Sequence, residues 1–203
     1  MNKNMLFLGL PGSGKGTQAS LLRMHHGYEV VDAGHIVRNS KEFSEFKKTV
    51  NKGDLLSDSV INSVMSSYLF NLSHSFVLDG YPRTIGQAEF LNSFLVDNQL
   101  HLDVVFQFVM DENKVIQRIS NRYICEKCYN VINQDHNICS ICGSKNFVRR
   151  GDDSDLDIVK HRVLVYTNTV SGLLEYYSDR LVKIDASLSI DDVNKLIVDV
   201  VLD

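Results

Sequence analysis

Along the chain, short apolar runs alternate with longer stretches in which apolar residues return every three or four positions. The runs have the length of buried strands, and the longer stretches have the period of amphipathic helices. Residues 5–10 (MLFLGL) form the first predicted strand, and a glycine-rich turn leads from it into a helix over 15–25. Residues 28–31 (YEVV) read as a second strand, followed by polar, lysine-rich helical material over 35–52 and a helix over 58–70. A buried strand at 76–78 (FVL) ends at Asp79. The stretch 84–97 reads as a helix with Phe90, Leu91, Phe94 and Leu95 on one face. Residues 104–109 (VVFQFV) are a strand and 112–122 a helix.

At Tyr123 the pattern stops. From there to Asp153 the sequence is polar, bears cysteines and follows neither period, as an inserted module would. Helical spacing resumes over 155–177. A last strand at 181–184 (LVKI) precedes a closing helix over 191–202, with Val193, Leu196, Ile197 and Val200 facing inward. Strands joined through helices predict an α/β fold with a mostly parallel sheet, and ligands beyond the carboxyl ends of its strands. Both prolines, Pro11 and Pro82, fall in glycine-bearing turns that start helices.

Composition narrows the classes. A chain of 203 residues supports one domain with a full core and a small insert. Its 44% hydrophobic and 23% charged residues are ordinary globular usage. A net charge of −4 gives no global attraction to nucleic acid or to an anionic membrane. The first apolar run is too short for a signal peptide or a membrane span, so the expected compartment is the cytosol, where thiols stay reduced.

Two local patterns carry chemistry. Gly9, Gly14 and Lys15 satisfy G-x-x-x-x-G-K between a predicted strand and a predicted helix, the context that makes this phosphate-loop pattern specific. Glycines let backbone N–H groups curl around an anion, the helix N-terminus adds partial positive charge, and Lys15 adds a full one. Gly16 follows the lysine where Ser or Thr is usual, and the hydroxyl arrives one residue later at Thr17. A turn that merely starts a helix would have no use for the lysine. The second pattern is Cys125-x-x-Cys128 and Cys139-x-x-Cys142, which holds every cysteine of the chain. In a reducing compartment a doubled spacing of this kind reads as a tetrahedral Cys₄ metal set before a redox pair or incidental core cysteines. His136 lies between the pairs as a loop residue, superfluous beside four thiolates.

The string Gly12-Ser13-Gly14-Lys15-Gly16-Thr17-Gln18 resembles the loop of nucleoside monophosphate kinases, adenylate kinase in particular. Further motifs follow in the family's order: Asp32-Ala33-Gly34 with Arg38, Asp79-Gly80-Tyr81-Pro82-Arg83-Thr84 with Gln87, Arg118 and Arg122, Arg150-Gly151-Asp152-Asp153, and Arg162 ahead of Tyr166. The resemblance implies a P-loop three-layer α/β/α fold. Its core would be 1–31, 57–122 and 154–203, with a short acceptor-binding helical arm at 32–56 and a zinc-ribbon lid at 123–153. It implies reversible, Mg²⁺-dependent transfer of the terminal phosphoryl group of ATP to AMP. ATP would lie on Gly12, Ser13, Gly14, Lys15, Gly16 and Thr17, with Arg118 and Arg122 beside its phosphates. AMP would be held by Ala33, Arg38, Gly80, Arg83, Gln87, Arg150 and Arg162. The catalytic charges would be Lys15, Arg83, Arg118, Arg122, Arg150 and Arg162. Asp79 would orient Mg²⁺ through water, or else cap a helix. Cys125, Cys128, Cys139 and Cys142 would hold a structural Zn²⁺ that staples a lid too small for a core of its own. The protein would act as a monomer, with neither nucleic acid nor membrane as partner.

From the residues themselves, Arg118 and Arg122 stand at i and i+4 of one predicted helix and can clamp one polyphosphate together. Five departures from the family pattern bear on specificity and geometry. Ala33 replaces a hydroxyl residue and is also seen in kinases resembling the uridylate/cytidylate branch, whereas Gln87 is of adenylate type and weighs more. His35 stands where the family has Asp near the Mg²⁺ waters. The arm from Arg38 to Gly53 and the spacer between the cysteine pairs are both short, so the ribbon's hairpin is clipped. One extra residue before Arg162 lets Arg149 compete with Arg150. The alternatives are a kinase with another acceptor or with GTP as donor, a zinc-ribbon nucleic-acid-binding ATPase, and a non-catalytic nucleotide sensor. The ATPase is disfavoured by the insert's few cations and by Tyr129 as its most obvious stacking aromatic.

Overall fold

The computed structural model describes residues 3–72, 75–128, 130–133, 137–139, 141–153 and 155–202. Tyr129 and His136 lie outside the described residues. In chain order, β1 (Met5–Gly9) leads to α1 (Lys15–His26), β2 (Glu29–Asp32), α2 (Ala33–Asn39), α3 (Lys47–Asn51) and α4 (Asp58–Leu69). Then come β3 (Phe76–Asp79), α5 (Ile85–Asp97), β4 (Val104–Val109) and α6 (Glu112–Ser120). Three short strands follow, β5 (Arg122–Cys125), β6 (Val131–Asn133) and β7 (Phe147–Val148), and the chain closes with α7 (Leu156–Tyr176), β8 (Leu181–Asp185) and α8 (Ile190–Leu202).

The main sheet has the order β2-β3-β1-β4-β8, and every pairing in it is parallel. Strands buried on both faces read as unbroken apolar runs, which is why MLFLG, FVLD and VVFQFV stood out. Alternation along β1 sends Met5 and Phe7 into one core, shared with α1, α6 and α8, and Leu6 and Leu8 into a second, shared with α2, α4 and α5. The result is the expected three-layer α/β/α arrangement. Among the described residues, no helix is long and apolar enough to cross a membrane.

Four expectations are corrected. The helical stretch over 35–52 is two helices. α2 starts at Ala33, where Asp32 accepts the His35 N–H at 2.9 Å, and it stops at Ser40, whose backbone is extended and whose hydroxyl accepts the Glu42 N–H. The helix over 112–122 ends at Ser120, because Arg122 pairs with Asn133 in a second, antiparallel sheet of order β6-β5-β7. Arg118 and Arg122 therefore do not share a helical face. The insert, which has no period in sequence, is built of those three short strands. In α8 Val193 and Ile197 are buried as expected, Val201 joins them and Val200 packs partly buried against the same core, whereas Leu196 is 44% exposed.

Candidate functional site

Beyond the carboxyl ends of β1, β2 and β3 lies a cleft of about 1140 Å³. The loop between β1 and α1 forms its floor. Gly12 has φ +85°, and a Cβ there would stand 2.6 Å from Ile119 of α6. Gly14, at φ +98°, is the N-cap of α1. Both positions need a residue without a side chain, so the loop's backbone stays bare toward the cleft. The Lys15 ammonium reaches back across the loop and donates to the carbonyls of Gly9 at 2.8 Å and Leu10 at 3.0 Å. Burial pushes its pKa down to about 8; Asp79 opposes that, and Arg83, Arg122 and Arg162 add to it. Asp79 closes β3, caps no helix, and has its own pKa pushed up to about 6 by burial, against the pull of Lys15. The helix-cap reading of Asp79 therefore falls, since Thr84 caps the following helix by accepting the Gln87 N–H.

The opposite wall is a cluster of arginines held by two aspartates. Asp152 and Asp153 sit in a short 3₁₀ turn, 1% and 2% exposed. Arg150 forks onto Asp152 at 2.9 and 2.6 Å, and Arg122 forks onto Asp153 at 2.8 and 2.6 Å. Arg162 donates to Asp153 at 2.8 Å, and Arg38 approaches Asp152 to 3.9 Å. Burial alone would raise the Asp152 pKa; the charges of Arg150, Arg162 and Arg38 outweigh it and hold the carboxyl below its usual range. Arg38 and Arg162 are in turn pushed down to about 10 by burial and by Arg150. Both stay charged at neutral pH, so cationic groups outnumber carboxylates along the cleft. This is a surface built for a polyanion.

Every residue expected to bind nucleotide lines this one cleft: the loop from Gly12 to Thr17, Ala33, Arg38, Asp79, Gly80, Arg83, Gln87, Arg118, Arg122, Arg150 and Arg162. Arg118 arrives from α6 and donates to the Ala186 carbonyl at 3.1 Å. Arg149 turns away to the Asp153 carbonyl at 2.9 Å and does not line the cleft, so Arg150 is the arginine placed there. A model of the adenylate kinase family matches residues 7–182. The chain belongs to the adenylate kinase family. That family's reaction is phosphoryl transfer from ATP to AMP, and the chain is a phosphotransferase of this kind. It is 36% identical over 194 residues to an adenylate kinase of Wolbachia pipientis subsp. Culex pipiens (strain wPip), covering 91% of each chain. To the adenylate kinase of Thermotoga neapolitana it is 36% identical over 205 residues, covering 93% of this chain and 92% of the relative. To that of Petrotoga mobilis it is 34% identical over 204 residues, covering 94% of each.

Away from the cleft, the four cysteine Sγ atoms of this kinase lie within 4.8 Å of one another, with Cys125–Cys142 and Cys128–Cys139 each at 3.5 Å. Such a set could hold a metal: a tetrahedron of about 2.3 Å metal–sulfur bonds has edges near 3.8 Å. Asp152 and Asp153 belong to the site through the arginines they hold, a role that the Arg150-Gly151-Asp152-Asp153 motif does not reveal by itself. Asp58, which accepts from Thr84 and Gln87, has no motif to announce it.

Proposed function

We propose that this kinase binds Mg·ATP on the Gly12–Thr17 loop beside Arg118 and Arg122. AMP would lie in the arm of the cleft between Arg38, Arg83, Gln87, Arg150 and Arg162. The convergence of all these residues on one cleft at the strand ends is the observation that supports the reading. Phosphoryl transfer needs positioning and charge neutralisation, and the acceptor phosphate is already an anion that attacks the γ-phosphorus in line, so no general base is required. Lys15 and the arginines neutralise charge that spreads over the transferring group, and closure over the cleft excludes water that would otherwise hydrolyse ATP. The buried Asp79 carboxylate, already flanked by Lys15, fits a hydrated Mg²⁺, and that ion would supply charge neutralisation at the phosphates. We place the acceptor arm at 32–56, the lid at 123–153 and the core in the remainder, and we read the protein as a cytosolic monomer acting on free nucleotides.

Incubation with ATP plus AMP, UMP, CMP or GMP in turn, with products separated by chromatography, tests the acceptor. AMP should exceed the pyrimidine nucleotides in kcat/KM by on the order of a hundredfold or more, because a hydrogen-bonding base site rejects a mismatched edge. Equal values for AMP and UMP would defeat the AMP assignment.

The cysteine set is proposed to carry one structural Zn²⁺. Four thiolates complete the tetrahedral shell and leave no open position for water or substrate, so the ion would supply folding energy rather than chemistry. Replacing Cys125 and Cys128 with Ser should abolish zinc in elemental analysis and lower the melting temperature. Some activity should persist at low temperature, since Lys15 and Arg38 lie outside the lid. An unchanged melting point would refute the staple.

A further inference from the structure

A glutamine amide has nearly the same shape in its two orientations and opposite chemistry at its two ends. At Gln87 one orientation is selected. Its Oε1 accepts the Arg83 backbone N–H at 2.7 Å, and its Nε2 donates to Asp58 Oδ1 at 2.8 Å. A backbone N–H can only donate and a carboxylate oxygen accepts, so the reversed amide would set donor against donor and acceptor against acceptor. Gln87 is 2% exposed, which leaves little solvent to relieve that mismatch. Asp58 is itself fixed, accepting the Thr84 hydroxyl on both oxygens at 3.0 Å. Gln87 lines the cleft and Asp58 stands behind it, outside the lining.

Fixed in this way, Gln87 has one N–H and one oxygen lone pair left for a ligand. Adenine offers an amino donor at position 6 and an acceptor at N1; a 6-oxopurine offers an acceptor at position 6 and a donor at N1. The reversed amide would suit the second edge as well as the present one suits the first. We propose that Asp58 is a specificity-determining positioning residue, which locks the Gln87 amide so that the acceptor site takes 6-aminopurine and rejects 6-oxopurine monophosphates. This deepens the reading above and rests on Gln87 facing the acceptor base.

The test compares AMP with IMP as acceptors for the wild type and for Asp58→Asn. Asparagine keeps the volume but can present either an oxygen or an amino group to Gln87, so the two amides can reverse together. Only the Arg83 N–H then holds the orientation, and the AMP-to-IMP ratio of kcat/KM should fall about tenfold, the size of one lost hydrogen bond. The change should come through the KM values for AMP and IMP, with the KM for ATP unmoved. Asp58→Ser, which also removes the carboxylate, gives the same comparison should the Asn variant fold poorly. A wild type that uses AMP, together with equal losses for both acceptors in the variants, makes Asp58 a structural residue only and overturns the inference. A wild type that does not use AMP overturns the acceptor assignment, and this inference with it.

Discussion

Lys15→Ala should lower phosphoryl transfer by on the order of a hundred- to a thousandfold, the cost of removing one preorganised charge from a developing anion. Its stability should change little. The ammonium donates to the Gly9 and Leu10 carbonyls, and those bonds would be lost. Against that loss, a cation whose pKa is pushed down to about 8 by burial is disfavoured in the fold, and alanine removes it. A polyphosphate in the loop would compete with the two carbonyls for the same ammonium and draw its pKa back up. The sign follows: ATP binding takes up a proton above about pH 8, and ATP affinity in the wild type declines as pH rises through that value. Single-turnover rates, thermal melts, and calorimetric titration of ATP at pH 7 and 9.5 check these points. Full activity in the variant, or a pH-independent ATP affinity in the wild type, would contradict this role for Lys15.

What could be read from sequence was local. The phosphate loop needs only a strand, glycines and a lysine in order, and those are adjacent in the chain. The strands β1, β3 and β4 were legible because burial on both faces leaves continuous apolar runs. Helix ends were harder, since they turn on one side chain, as when Ser40 draws the Glu42 N–H. The i and i+4 reading of Arg118 and Arg122 failed because pairing with Asn133 outweighed helical continuation. The insert's strands left no period because they are short and pair across many intervening residues. Asp152 and Asp153 were visible as letters, yet their task is to meet arginines from four separate parts of the chain. That appears only when α2, β5, the 3₁₀ turn and α7 are brought together.

Those two aspartates carry the largest stability prediction. Asp153 is buried and accepts paired bonds from Arg122 and a third from Arg162. Asp153→Ala would leave two largely buried guanidinium groups short of a counterion, a loss of about 3–5 kcal/mol when one partner of a buried ion pair is deleted. For a chain of this length that corresponds to a melting temperature lower by roughly 10 °C. The pH dependence separates this from simple loss of packing. Burial would raise the Asp153 pKa, but the Arg122 hydrogen bonds and charge outweigh it and hold the folded carboxyl below the usual carboxylate range. Stability from such a group is fully present above the unfolded pKa and is lost as pH falls through the folded one. The gap between wild type and Asp153→Ala should therefore be widest at neutral pH and narrow below about pH 4. Adding Arg122→Ala to Asp153→Ala should recover part of the lost stability, because deleting both partners strands less charge than deleting one. Denaturant titrations of the single and double variants at pH 7 and pH 3 measure all of this. A single variant as stable as the wild type at pH 7, or a double variant that loses the sum of both deletions, would show that these arginines do not depend on Asp153 for their placement.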